Sequence, residues 1–250
     1  MKGITVCFFG TTHMDTYNAC IKPIFDYVKN EYGKEYEVEM AFTSRIIKKR
    51  LKDRGVMDVK NEKEALDHFK SLGIDEPIVF STHLLEGLEY EKILSLKEFY
   101  PGLRVSKPLF ADKDAINEFT KKAIFPEDEC TVWMGHGTSH KVDDVYDYCD
   151  ECFKKNGGEN VFVATVEGNR SLETILPELE KFKDKKITLR PMMLVSGDHA
   201  KNDMAGDEPD SWKSILTQKG FKVEAVLKGL GEFDFAREMF YDRLKEVLYR

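Results

Sequence analysis

Three side chains far apart in the chain suit a divalent metal when taken together. They are His136 in Met134-Gly135-His136-Gly137, Glu167 in Thr165-Val166-Glu167-Gly168, and His199 in Gly197-Asp198-His199. Each stands just beyond an apolar run of strand type. Neutral imidazoles and a carboxylate accept a divalent transition metal and leave a coordination position open for water or another donor. Donors that come from three strand ends need no local spacing motif, and no H-E-x-x-H is present. Gly135 and Gly137 flank His136, and Gly197 precedes Asp198-His199, so backbone can approach a ligand closely at both places. Taken singly, each has a plainer reading: a histidine beside a strand is most often a hydrogen-bonded structural residue, and Glu167 could cap a helix.

Competing chemistries fare worse. Gly135-His136-Gly137 does not continue as G-x-G-x-x-G, because position 140 is His. There is no G-x-x-x-x-G-K-[ST] loop, which argues against a nucleotide cofactor, and no G-x-S-x-G elbow for acyl transfer. Met134-Gly135-His136-Gly137 lacks the arginine a histidine phosphatase would need. Cys149 and Cys152 form a C-x-x-C inside a helical pattern, and no second pair exists to complete a zinc site. Cys7 and Cys130 read as small core hydrophobes.

Strand-type runs alternate with amphipathic segments along the 250 residues. Ile4–Phe9, Val38–Phe42, Ile78–Ser81 and Val105–Phe110 read as strands, and Thr16–Glu31, Ser44–Arg54, Glu62–Leu72 and Tyr90–Phe99 as helices. The second half predicts strands at Cys130–Met134, Val161–Val166, Ile187–Val195 and Val223–Leu227. Its helices are expected at Val142–Lys155, Leu172–Phe182, Ser211–Lys219 and Phe233–Tyr249. This alternation implies an α/β fold of parallel sheets covered by helices on both faces. In such sheets ligands sit beyond the carboxyl ends of the strands. The halves also resemble each other at their strand ends, Phe8-Phe9-Gly10-Thr11 against Trp133-Met134-Gly135-His136. The expectation is therefore an internal duplication into two similar three-layer domains, 1–125 and 126–250, linked through Pro126-Glu127-Asp128-Glu129. The last helix could pack back on the first half.

Composition sets outer bounds. With 38 basic and 45 acidic residues the formal charge is −7, which argues against a nucleic-acid partner. Hydrophobic residues at 42% and charged ones at 33% exclude a disordered chain. No apolar run approaches the roughly 18 residues of a membrane span. Five cysteines, an odd count, fit a reducing compartment, so a cytoplasmic location without a membrane partner is expected.

The string Pro191-Met192-Met193-Leu194-Val195-Ser196-Gly197-Asp198-His199-Ala200, continuing through Asn202-Asp203-Met204-Ala205-Gly206-Asp207 to Asp210-Ser211-Trp212-Lys213, resembles the signature of class II tetrapyrrole chelatases of the anaerobic CbiK cobaltochelatase type. Ala41-Phe42-Thr43-Ser44, Phe9-Gly10-Thr11, Gly87 with Glu89-Tyr90-Glu91-Lys92, and Gly229-Leu230-Gly231-Glu232 match the same family in order. The resemblance implies two α/β domains with a cleft holding the macrocycle, and it makes His136, Glu167 and His199 the metal set. It gives Glu89 a further catalytic part and puts Gly10, Thr11 and Ser44 on the substrate side. The implied reaction is ATP-independent insertion of Co(II) into sirohydrochlorin. Nickel or iron(II) insertion into the same macrocycle, or a non-catalytic tetrapyrrole or metal carrier, are the alternatives. On this reading His199 and Glu167 mainly hold metal, while His136 ligates and then takes a pyrrole proton. The eight carboxylates of the macrocycle call for local cations, and Arg45 and Arg170 are the candidates, since arginine grips a carboxylate with paired hydrogen bonds. His13 and His83 read as structural, with His83 the better candidate for an exception. The sequence leaves homo-oligomer formation open.

Overall fold

In a computed structural model, residues 2–123 and 128–249 are described. In chain order the elements run β1 (Lys2–Phe8), α1 (Met14–Thr16), α2 (Lys22–Tyr32), β2 (Tyr36–Phe42), α3 (Arg45–Asp53), α4 (Glu62–Ser71), β3 (Ile78–Ser81), α5 (Leu88–Ser95) and β4 (Arg104–Val105). They continue with α6 (Lys113–Lys122), β5 (Glu129–Gly135), α7 (Asp144–Lys155), β6 (Val161–Thr165), α8 (Leu172–Leu179), β7 (Lys186–Pro191), α9 (Trp212–Gln218), β8 (Lys222–Ala225) and α10 (Asp234–Leu248). The strands form two four-stranded sheets, ordered β2-β1-β3-β4 and β6-β5-β7-β8, with every pairing parallel. The central strands are buried almost from end to end, as strands covered by helices on both faces must be. In the second sheet Val132, Met134, Phe162, Ala164 and Leu189 pack with Leu172 and Ile175 of α8 and Trp212 and Leu216 of α9. Each large apolar side chain buried in this way contributes about 1.5–3 kcal/mol.

The chain divides into two compact units, Met1–Ala111 with Gly231–Arg250, and Asp112–Leu230. This differs from the expected break at 125/126 because α6, which the sequence pattern did not reveal, belongs to the second unit. The Asp112 side chain caps α6 by accepting from Ala115 N at 3.0 Å. Phe119 packs its ring 6.1 Å from Trp133 and 6.4 Å from Phe153. Asn156 Nδ2 donates to Asn117 Oδ1 and Thr120 Oγ1 at 3.0 and 2.9 Å. The last helix, α10, joins the first unit: Arg104 donates to Val247 O, and Tyr27 stacks on Tyr241 with centroids 3.8 Å apart. Residues 126 and 127 of the expected linker lie outside the described residues.

The duplication reaches single hydrogen bonds. In the first unit Thr43 N donates to Phe8 O (2.8 Å), Ser44 N to Phe9 O (3.2 Å) and Thr82 N to Cys7 O (3.0 Å). In the second, Val166 N donates to Gly135 O (3.1 Å), Glu167 N to His136 O (2.8 Å) and Met192 N to Met134 O (2.7 Å). After the first strand of each unit a glycine takes positive φ, 105° at Gly10 and 80° at Gly137. One residue later a threonine hydroxyl accepts from a histidine amide at 3.1 Å, Thr11 from His13 and Thr138 from His140.

Strand lengths differ from expectation at two prolines. β7 ends at Pro191, four residues short of the expected Val195, and β4 pairs only over Arg104–Val105, with Pro108 removing a donor from the rest of the expected run. Cys149 and Cys152 are buried on α7, and all five cysteines are buried free thiols. No helix among the described residues is long and apolar enough to cross a membrane.

Candidate metal centre

The second sheet's order places β6, β5 and β7 side by side, so residues just beyond their carboxyl ends meet. His136 is the first residue after β5, Glu167 the second after β6, and His199 stands beside the turn Ala200–Met204 that follows β7. One donor atom from each of the three lies within 4.8 Å of the others. That is close to the span of roughly 4.2 Å bridged by an ion about 2.1 Å from each donor. The imidazole rings of His136 and His199 are 4.4 Å apart and nearly perpendicular, at 78°. His136 Nδ1 is 3.8 Å from Glu167 Oε2. All three side chains remain open to solvent, from 33% for His199 to 58% for Glu167. An ion held here is reachable from outside.

The outer partners fix which nitrogen each ring offers. His136 Nδ1 lies 2.9 Å from Gly137 O. A carbonyl only accepts, so this nitrogen carries the proton and Nε2 keeps its lone pair. His199 Nδ1 lies 2.8 Å from Asp203 Oδ2, which likewise leaves the lone pair on Nε2. A carboxylate behind a ligating imidazole orients the ring and strengthens its donor nitrogen. Asp203 was legible only as His-x-x-x-Asp, the i,i+4 spacing that brings two side chains together on a helical turn.

Asp143 ties the ligand loops together and left no signal in the sequence. Its carboxylate is buried and accepts Thr138 N at 2.9 Å and Asn169 N at 2.7 Å, one from each of the loops carrying His136 and Glu167. A Cβ on Gly168 would fall 2.4 Å from an Asp143 oxygen, and one on Gly137 would fall 2.2 Å from Gly168 N. The two loops touch backbone to backbone, and only glycine permits it.

Arg170, expected to grip substrate, is turned into the protein. Its Nε donates to Val163 O at 2.7 Å, and its two remaining nitrogens bind Asp147 and Asp150 at 3.1 and 2.7 Å. With the side chain 15% exposed, its guanidinium braces β6 against α7 and leaves little to offer a ligand. These tertiary partners lie 20 and 23 residues upstream, a separation that only the fold closes.

The remaining site residues belong to the first unit. Gly10 and Thr11 form the turn after β1, and a Cβ on Gly10 would fall 2.6 Å from the Phe42 ring. Ser44 caps α3 by accepting Ile47 N at 3.4 Å. Arg45 forms a two-pronged pair with the buried carboxylate of Glu62 and also donates to Thr43 O at 3.1 Å. Glu62 holds the Arg45 guanidinium above its usual pKa range, and half of the Arg45 side chain faces solvent. Glu89, in the first turn of α5, pairs with Lys92 through one oxygen, while its Oε2 is buried and makes no hydrogen bond. His83 sits between Ser81 Oγ at 2.9 Å and Thr43 Oγ1 at 3.2 Å, and burial lowers its pKa to about 4. It is a neutral ring between two hydroxyls.

The chain matches the cobalt chelatase (CbiK) family over residues 2–249. It is 30% identical to a sirohydrochlorin cobaltochelatase of Salmonella typhimurium, over 99% of this chain and 96% of that protein. Identity to the sirohydrochlorin cobaltochelatase CbiKC of Nitratidesulfovibrio vulgaris is 29%, over 97% and 89%. Among solved structures, SirB from Bacillus subtilis with Fe3+ superposes with a TM-score of 0.63 at 14% identity, over 98% of this chain and 95% of that one. By the match along its whole described length, the chain belongs to the cobalt chelatase (CbiK) family.

Proposed function

We propose that the protein inserts Co(II) into sirohydrochlorin without nucleotide hydrolysis, with the metal ion as substrate. The observation that carries this reading is the meeting of His136, Glu167 and His199 donor atoms within 4.8 Å at an exposed strand edge. The names of the Salmonella and Nitratidesulfovibrio relatives support the same macrocycle and metal. Three donors from three strand ends hold the ion firmly enough to orient it and leave its other positions for exchange. The ion must then shed water and pass to four ring nitrogens while two pyrrole N–H protons leave.

The two imidazoles differ in support, and the proposed roles follow that difference. His199 is backed by the Asp203 carboxylate, which favours continued ligation. His136 is backed only by a backbone carbonyl, so it is the easier ligand to release and the better placed to accept a proton at Nε2 once the ion has left it. Glu167 contributes the anionic oxygen that offsets the ion's charge. Glu89 adds a second carboxylate for the ring protons.

The test is an anaerobic spectral assay with sirohydrochlorin and Co(II), alongside calorimetric Co(II) binding. Wild type should give many turnovers per chain. His136→Ala and His199→Ala should each lower insertion and weaken Co(II) binding by at least a hundredfold. Near-normal insertion by His136→Ala at saturating metal would refute its role. Conversion that stops at one macrocycle per chain would identify a carrier instead. Nickel and iron(II) in the same assay rank the metals, since this donor set accepts all three.

A further inference from the structure

β2 runs at one edge of the first sheet and carries two acids on the side that a helix covers. Glu37, Glu39 and Ala41 alternate along the strand, so their side chains share a face. Ala41 is buried with Ala65, Leu66 and Phe69 of α4, which identifies that face as the one packed on the helix. The second unit shows the apolar alternative. Phe42 closes the β1–β2 register against Phe8 as Thr165 closes the β5–β6 register against Gly135. Counting back from these ends pairs Glu39 with Phe162, which is 1% exposed and packs its ring 5.6 Å from Phe182. One unit seals this flank with aromatic rings, and the other sets carboxylates there.

A carboxylate largely covered by protein needs partners. Glu39 is 18% exposed. Lys60 donates to its Oε2 at 2.9 Å, while Oε1 lies 3.4 Å from His68 Nε2 of α4. Glu37 completes the group: one donor atom from each of Glu37, Glu39 and His68 lies within 4.8 Å of the others. Two carboxylates this close repel, and the Lys60 ammonium offsets one of the two charges. A divalent ion among the three donors draws both acids to itself and uses the imidazole lone pair as well. Lys60, 39% exposed, can then turn to water. Mixed nitrogen and oxygen donors favour a first-row transition ion such as zinc over magnesium or calcium, which prefer oxygen alone.

We propose that Glu37, Glu39 and His68 form a second divalent-metal site, of zinc type, that pins the edge strand β2 to α4. All three donors belong to the first unit, whereas His136, Glu167 and His199 belong to the second. In the reaction proposed above the second unit gives its ion up. An ion in the first unit joins a strand to a helix and is retained, because binding only to the folded chain stabilises it. This site does not depend on that reaction.

The experiment is equilibrium dialysis of the full chain against Zn(II), with thermal melts in parallel. The His136→Ala/His199→Ala chain should retain one equivalent of zinc, and its melting temperature should rise by several degrees with the ion at roughly a hundred times its Kd. Adding His68→Gln or Glu37→Gln to that chain should abolish both the bound equivalent and the rise. A His136→Ala/His199→Ala chain that holds no zinc would overturn the inference. So would an equivalent that survives both His68→Gln and Glu37→Gln. Anomalous diffraction at the zinc edge from wild-type crystals tests the same point without any variant. A peak between Glu37, Glu39 and His68 is expected, and a zinc-soaked crystal without one there would overturn the site.

Discussion

The loops at the two carboxyl edges share a backbone course and differ in what restrains them. In the first unit, cation and hydroxyl partners do the work: Arg45 binds Glu62, and His83 bridges Ser81 and Thr43. In the second, two carboxylates do it, Asp143 across the His136 and Glu167 loops and Asp203 behind His199. The difference teaches that a metal set requires more than donors at the right strand ends. At the proposed metal site each donor must be aimed: Asp143 holds two ligand loops through their backbone amides, Asp203 accepts from the His199 ring, and the Gly137 carbonyl accepts from the His136 ring.

That comparison can be broken at four places, beginning with the largest effect. Asp143→Ala leaves the amides of Thr138 and Asn169 without their buried acceptor, and should destabilise the second unit by about 3 kcal/mol. A urea midpoint within error of wild type would show that the loops hold themselves. Asp203→Asn keeps the shape and removes the charge behind His199, so Co(II) affinity should fall ten- to a hundredfold with little change in melting temperature. Calorimetry showing full affinity would reduce Asp203 to a surface acid.

In the first unit Glu62→Ala should cost less, about 1 kcal/mol, because the half-exposed Arg45 it abandons can turn to water. A loss as large as that of Asp143→Ala would mean the two edges are restrained equally. The smallest effect concerns pH. Burial lowers His83 from 6.5 to about 4, so the unfolded chain takes up a proton across that interval and the folded one does not. Stability from the neutral ring is complete above pH 6.5 and declines as pH falls toward 4. His83→Gln, which keeps an acceptor and a donor, should show a shallower fall in melting temperature over this window, and identical slopes would contradict the assignment.

His136 and Glu167 stand out in the sequence as the first chemistry-bearing residues after visible apolar runs, His199 follows a third run just after Asp198, and parallel-sheet topology sends all strand ends to one edge. What escaped depended on contacts between distant segments. Arg45 and Arg170 look alike in sequence as cations after strand ends. Only the fold supplies Glu62 to one and Asp147 with Asp150 to the other. α6 escaped because its buried face is Ala115, Ile116, Phe119 and Thr120, a short mixed pattern whose meaning comes from Trp133 and Phe153. Its absence from the sequence reading moved the domain boundary. Asp143 escaped because nothing local distinguishes it from the acids around it, Asp144 and Asp147.

The five buried cysteines bear on how the ion leaves. Thiolate sulfur is a soft donor that holds late first-row metals tightly, and a protein that must surrender its ion is harmed by such a trap. Burial raises the Cys130 thiol to about 12 and pushes Cys149 and Cys7 upward as well, which keeps these three sulfurs protonated as well as out of reach. At the proposed site an incoming ion therefore meets exposed imidazole and carboxylate, donors from which it can depart again.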